Sequence, residues 1–215
     1  HNTAPADGRV WLLDAANGSI IKEFTLPTIG GLGAPLAADI NYDEVADRIY
    51  VGDTLGNLWR LDLPTSNTAS WGIPASLGTA PLFIAKDASG NRQAITAPLS
   101  SAFNEAKQHM VYFGTGSFYR DGDNEVGLTP KVDTFYGIID SGTPINGRAT
   151  LLQQKIIKEA TTASGNLARA ITQNILTTQA GWYLDLAWQV ADGGSSGPQG
   201  ERVVARATVR NDRII

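Results

Sequence analysis

Asp39, Asn41, Asp43 and Asp47 place side-chain oxygens at alternating positions of one nine-residue stretch, Asp39 to Asp47. Val45 fills the gap in the series, where a backbone carbonyl would serve as a donor. Hard cations such as Ca²⁺ take six to eight oxygen ligands from carboxylates, amide carbonyls and backbone carbonyls. Polar groups at i, i+2, i+4 and i+8, with a carbonyl at i+6, suit one such ion. Without a cation, Asp39, Asp43 and Asp47 repel one another. The spacing follows the first nine positions of an EF-hand loop and then departs from it. The sixth position is Glu44 rather than glycine, and the twelfth is Tyr50 rather than glutamate. The residues after the loop, Arg48 to Asp53, read as a strand and not as a helix. The pattern therefore predicts a Ca²⁺ loop between strands. Taken alone, it is equally compatible with a metal-free loop of Asx turns.

The elements around this loop repeat. Gly8-Arg-Val-Trp-Leu-Leu-Asp14 and Gly56-Asn-Leu-Trp-Arg-Leu-Asp62 share the pattern Gly-x-apolar-Trp-x-Leu-Asp, and Thr134 to Asp140 is a looser third copy. Arg48 to Thr54 similarly resembles His109 to Thr115. Short-strand repeats of roughly 40–50 residues mark the blades of a β-propeller. Apolar residues alternate with apolar residues in these segments, as expected for strands covered on both faces. The fold class predicted is all-β, a β-propeller of four-stranded antiparallel blades. Residues 1–215 form one such domain, a partial or shortened propeller of about three blades with incomplete ones at each end. Tyr50-Val51 and Leu58–Leu61 are expected to pair as neighbours joined at Asp53–Asn57. Helix is scarce, with one or two turns expected over Arg148–Gln154. Lys155–Thr162 and Leu167–Asn174 read as a hairpin, and Asp192–Pro198 as a flexible loop by composition.

Composition narrows the function classes. The chain of 215 residues is 42% hydrophobic and 18% charged, with a net charge of −4 and no basic run, which argues against a nucleic-acid surface. There is no cysteine, so disulfides, thiolate zinc sites and thiol catalysis are excluded. No stretch approaches the roughly 18 apolar residues of a membrane span. The polar start at His1-Asn2-Thr3 has no signal-peptide character, and Ile214-Ile215 reads as the beginning of a strand. The chain is expected to be a mature or excised fragment of a larger protein.

Other constellations carry less chemistry. Asp121-Gly-Asp-Asn-Glu125 is a second acidic loop, but it lacks the full ladder of ligands and reads as a solvated insertion. Asp14 to Gly18 reads as a blade turn. His109 has no recognisable catalytic set around it. Trp11, Trp59, Trp71, Trp182 and Trp188 are expected to pack between blades, with Trp71, between Ser70 and Gly72, the one nearest the surface.

The loop Asp39–Asp47, running into Arg48-Ile-Tyr-Val-Gly-Asp-Thr-Leu-Gly-Asn-Leu-Trp-Arg-Leu-Asp-Leu63, resembles the hallmark of the PilC/PilY family, tip-associated, adhesin-like proteins of bacterial type IV pili. Val111-Tyr-Phe-Gly-Thr-Gly116, Thr134–Asp140, Gly181-Trp-Tyr-Leu-Asp-Leu186 and Gly200-Glu-Arg-Val-Val204 extend the likeness in order. The resemblance implies a C-terminal propeller with one Ca²⁺ at Asp39, Asn41, Asp43, Val45 and Asp47. It implies that Ca²⁺ occupancy regulates pilus extension, retraction, twitching motility and surface adhesion, and that the domain catalyses nothing. Pilins and minor pilins are the implied partners, with host or abiotic surfaces as adhesion targets. The implied location is the cell surface and pilus tip, reached through the periplasm and outer membrane. No Arg-Gly-Asp triplet supports integrin-type adhesion. The competing readings are a quinone-dependent dehydrogenase propeller using Ca²⁺, and a sugar- or protein-binding propeller with a structural Ca²⁺. Ligands drawn from one contiguous surface loop argue against the dehydrogenase, whose catalytic ion needs donors from several blades.

Overall fold

The structure, a computed structural model, describes residues 7–119, 121–127, 130–188, 199–210 and 213–215. Strands β1 (Gly8–Leu13) and β2 (Ile20–Leu26) form an antiparallel hairpin. Strands β3 (Leu36–Ala38), β4 (Arg48–Gly52), β5 (Asn57–Asp62) and β6 (Phe83–Ile84) follow as a four-stranded antiparallel sheet in chain order. Next come β7 (Ser100–Phe103), β8 (His109–Gly114) and β9 (Thr134–Ile139). The hairpin of β10 (Leu152–Thr161) and β11 (Leu167–Ile171) intervenes before β12 (Gly181–Trp188). β12 closes the second blade by pairing antiparallel with β9, and β10 adds to its free edge in parallel. A short hairpin, β13 (Val209–Arg210) and β14 (Arg213–Ile214), ends the chain.

Among the described residues, two complete four-stranded blades thus stand between two hairpins, one fewer full blade than the repeat count predicts. The first repeat copy forms β1, which among the described residues pairs with β2 alone, and the β10–β11 insert extends the second sheet without starting another blade. The repeats themselves map onto equivalent positions. Arg48–Thr54 and His109–Thr115 supply the second strand of each blade, and Gly56–Asp62 and Thr134–Asp140 the third. Val51 pairs with Trp59 and Tyr50 with Arg60, as expected. The predicted hairpin from Lys155 onward forms, while the helix at Arg148 shrinks to one 3-10 turn, Arg148–Thr150, before β10 begins. The segment Asp192–Pro198 lies outside the described residues.

Strand alternation distributes the core into three layers. Ile49, Val51, Trp59 and Leu61 face Val10, Phe24 and Leu26 of the first hairpin. Tyr50 and Leu58, on the opposite face, meet Val111, Phe113, Tyr136 and Ile138 of the second blade. Met110, Tyr112 and Ile139 pack on Val209 and Ile214. Both faces of the first blade are therefore covered, which explains its unbroken apolar sequence. Gly52 and Gly114, equivalent in the repeat, pass beneath crossing chains. A β-carbon would come within 2.3 Å of Ile95 at Gly52 and within 2.0 Å of Val203 at Gly114.

The tryptophans divide by tertiary context. Trp59 is buried and donates its indole N–H to Asp53 at 2.9 Å. Trp71 is partly buried against the same layer. Trp182 lies over Gly137 within its own sheet and stacks on Phe135 at 5.9 Å. Trp11, expected to pack between blades, is instead 50% exposed and donates to Glu23 at 2.8 Å. Among the described residues the first hairpin is covered only on its Val10 face, so the outer face carrying Trp11 and Leu13 meets solvent. The side chain of Trp188 lies outside the described residues.

One buried polar cluster joins the two blades. Asp140, at the end of β9, has a fully buried side chain. It pairs with Arg60 of β5 at 2.6 Å and Arg48 of β4 at 3.1 Å, and accepts from the Tyr50 hydroxyl. Arg60 is also held by Asp62 at 2.6 and 2.8 Å. His109 stands beside them, its Nδ1 3.3 Å from the Tyr50 oxygen. Removing one partner from a buried ion pair leaves an uncompensated charge. Asp140→Ala should accordingly lower stability by about 3–5 kcal/mol, measured by urea denaturation; a loss below about 1 kcal/mol counts against the cluster as the junction. Burial drives the His109 imidazole down to about 4 from its ordinary 6.5; nearby Asp140 pulls it upward and is outweighed. The unfolded chain takes up this proton at higher pH. Stability is therefore expected to fall as pH drops from about 6.5 toward 4 and to level off below that, and His109→Gln should flatten this part of the profile.

Candidate metal centre

The 39–47 stretch is the hairpin connection between β3 and β4. Its base is closed where Ala38 pairs with Arg48 and where the Asp47 N–H donates to the Ala38 carbonyl at 2.9 Å. Short polar side chains fold the loop by capturing their own backbone. Asp39 accepts from the N–H groups of Tyr42 at 2.7 Å, Glu44 at 2.8 Å and Asn41 at 3.2 Å. Asn41 accepts from Asp43 N–H, and Asp43 from Val45 N–H, each at 2.9 Å. Asp47 accepts from Ile40 N–H at 2.7 Å and Asn41 N–H at 3.3 Å. The Asn41 side-chain amide donates to Asp43 at 3.2 Å and Asp47 at 3.4 Å.

The four side chains named from sequence are thus brought together around Asn41. Among the described residues, however, no three His, Cys, Asp or Glu side chains group as a ready metal site. The carboxylates are spread over loop N–H donors, and an amide NH₂ bridges Asp43 and Asp47. Val45 lies on the exposed rim. The donor chemistry fits a hard cation: three carboxylates, one amide and a backbone carbonyl, all oxygen. To hold an ion, Asn41 must give up its two donations and present its oxygen instead.

Electrostatics favours an ionised carboxylate at Asp39. Desolvation pushes the Asp39 carboxyl up, but the N–H groups of Glu44, Tyr42, Asn41 and Asp43 outweigh it and hold the group below the usual carboxylate range. Backbone strain accompanies this charge. Tyr42 and Glu44 adopt φ of 65° and 70°, the left-handed region. Each such residue costs roughly 1–2 kcal/mol relative to the right-handed conformation. Glu44 occupies the position that an EF-hand gives to glycine, so the turn is made without the residue that makes it easily.

Asp121–Glu125 and Asp14–Gly18, read from sequence as a solvated insertion and a blade turn, bond within their own loops. Asp123 accepts from the Ser117 hydroxyl at 2.7 Å and from Tyr119 N–H at 2.9 Å, binding its own loop. Asp14 accepts from Ala16 N–H at 2.7 Å in a turn with Gly18 at φ 75°. Three residues unnoticed in the sequence position the candidate loop: Tyr42 at its tip, Phe103 at the end of β7, and Asp140. Tyr42 gave a faint signal as an aromatic inside an otherwise polar loop.

A family model described as the PilY1 beta-propeller domain matches residues 5–170. The chain belongs to the PilY1 family. A type IV pilus biogenesis factor PilY1 homolog of Xylella fastidiosa is 33% identical over 86% of this chain. The type IV pilus biogenesis factor PilY1 of Pseudomonas aeruginosa PAO1 is 32% identical over 81% of it. The chain spans only 12% and 18% of these two relatives' lengths. The crystal structure of the Pseudomonas aeruginosa PilY1 C-terminal domain superposes with a TM-score of 0.78 at 30% identity, covering 94% of this chain and 48% of that one. The blade arrangement is accordingly that of a partial PilY1 propeller.

The left-handed conformation of Glu44 sets what substitution there does to stability. Glu44→Gly should leave stability unchanged or raise it by up to about 1 kcal/mol, whereas Glu44→Val, β-branched in a left-handed position, should lower it. Denaturant unfolding of both variants checks the order.

Proposed function

We propose that this chain is a Ca²⁺-binding propeller domain of a type IV pilus biogenesis factor. Occupancy of the 39–47 loop regulates pilus extension and retraction, and through them twitching motility and surface adhesion. Asp39, Asn41, Asp43 and Asp47 hold the ion with the Val45 carbonyl. The domain acts at the cell surface and pilus tip on pilins or minor pilins and catalyses nothing. The observation that carries the reading is the convergence of all four side chains in one strained hairpin loop. Membership of a family whose relatives are named as pilus biogenesis factors supplies the biological setting.

When bound, Ca²⁺ supplies the positive charge that three carboxylates within nine residues lack. The protein's part is to present oxygens from one short loop whose four side chains lie within hydrogen-bond reach of one another or of its backbone. Mg²⁺ is a poor competitor because it demands a tighter octahedron and dehydrates reluctantly. A ligand that binds only the folded chain stabilises it by about 2.7 kcal/mol at a hundredfold excess over Kd.

Calorimetric titration of the chain with Ca²⁺ and with Mg²⁺ tests the assignment. Ca²⁺ should bind at one site and Mg²⁺ far more weakly, and Asp47→Ala should abolish or greatly weaken the Ca²⁺ isotherm while preserving the fold. Equal saturation by Mg²⁺ overturns the assignment. In cells, Asp47→Ala in the full-length protein should alter piliation and twitching, and Asp47→Lys should partly mimic the filled site. Normal twitching with Ca²⁺ binding abolished leaves the ion a structural role only.

A further inference from the structure

The candidate loop does not end at its own blade. Tyr42, at its tip, is 75% exposed, yet its ring lies 5.4 Å from that of Phe103 on the first strand of the second blade. Phe103 in turn lies 5.2 Å from His109, and His109 stacks on Tyr50 at 5.7 Å. Arg48, the residue after Asp47, reaches across to Asp140 of the second blade at 3.1 Å. The loop therefore touches the neighbouring blade at its tip through an aromatic contact and at its exit through an ion pair. Both lines end on the same buried cluster of Tyr50, His109 and Asp140.

We propose, on the reading that the 39–47 loop holds Ca²⁺, that the loop is a clasp between the two blades: ion binding locks Tyr42 onto Phe103 and so fixes the docking of β7 and β8 against β4. Tyr42 meets Phe103 from a left-handed turn, at φ 65°. Repulsion among Asp39, Asp43 and Asp47 opposes that turn when no cation is present, so the ion and the contact favour the same loop conformation. Linkage then runs both ways. If Ca²⁺ strengthens the Tyr42–Phe103 contact, removing the contact weakens Ca²⁺ binding by the same factor, although neither ring touches the ion. Phe103 is thus a positioning residue for a site on another blade. An aromatic pair of this size corresponds to roughly a threefold to tenfold change in affinity.

Two measurements on the 215-residue chain test the clasp: Ca²⁺ affinity by calorimetry, and amide hydrogen exchange with and without Ca²⁺. In the wild-type chain, Ca²⁺ should slow exchange in Ser100–Phe103 and His109–Gly114 as well as in the loop. Phe103→Ala should weaken binding roughly threefold to tenfold and abolish the remote protection. Tyr42→Asn, which suits a left-handed position and is exposed, gives the same loss without disturbing a core; Tyr42→Phe keeps the ring and should behave as wild type. Wild-type affinity in both Phe103→Ala and Tyr42→Asn, or protection confined to residues 38–48, overturns the clasp while leaving the ion site standing. Failure of the wild-type chain to bind Ca²⁺ at all overturns the ion site and the clasp with it.

Discussion

A single buried carboxylate organises the contact between the two complete blades. Asp140 has no exposed side-chain surface and takes both of its cationic partners from the neighbouring sheet. Moving a carboxylate out of water carries a penalty of several kcal/mol, which only close, fully bonded partners offset. Two arginines, a tyrosine hydroxyl and the Gly142 N–H meet that requirement. The apolar layer of Tyr50, Leu58, Phe113 and Tyr136 supplies the cohesion beside it, and the ionic cluster supplies register. Apolar packing tolerates small slides; charge-assisted bonds from two arginines to the two oxygens of one carboxylate do not.

The loop at the edge of this junction obeys a different balance. Residues 41–45 are exposed, and the loop's apolar contacts are those of Ile40 with the core and Tyr42 with Phe103. Its conformation rests on carboxylates capturing N–H groups, and it contains two non-glycine residues in the left-handed region. A segment built this way has little stability of its own, and a bound charge changes it readily. Its attachment to a rigid blade on one side and to Phe103 on the other gives such a change somewhere to go. A Ca²⁺ site in a floppy tail would order only itself; one between blades can alter how they meet.

The repeat logic also accounts for the turns. Asp53 accepts from Leu55 N–H, Asn57 N–H and the Asn57 side chain, and Asp87 accepts from Ser89 N–H, Asn91 N–H and the Asn91 side chain in the same way. Both are Asp-x-x-Gly-Asn sequences with the glycine at positive φ. One local rule, an acidic side chain closing a five-residue turn, thus joins β4 to β5 and recurs before Gln93.

Local chemistry made much of this legible from residues alone. The Gly-x-apolar-Trp-x-Leu-Asp and Tyr-Val-Gly elements located the second and third strands of each blade, because strand periodicity and turn residues act over a few neighbours. The oxygen ladder from Asp39 to Asp47 located the candidate loop for the same reason, and its position between strands followed from Ile49–Val51. Only the tertiary structure decided what those elements face. Trp11 and Trp59 share a motif, yet one is half in solvent and the other sealed, since burial depends on which sheet lies opposite. The parallel addition of β10 to β12, and the two full blades among the described residues, depend on long-range pairing that no local pattern encodes. Asp140 reads in sequence as the last residue of a weak repeat. Its meeting with Arg48 and Arg60, 92 and 80 residues away, exists only once two sheets have packed, because charge pairing acts through space and leaves no period along the chain.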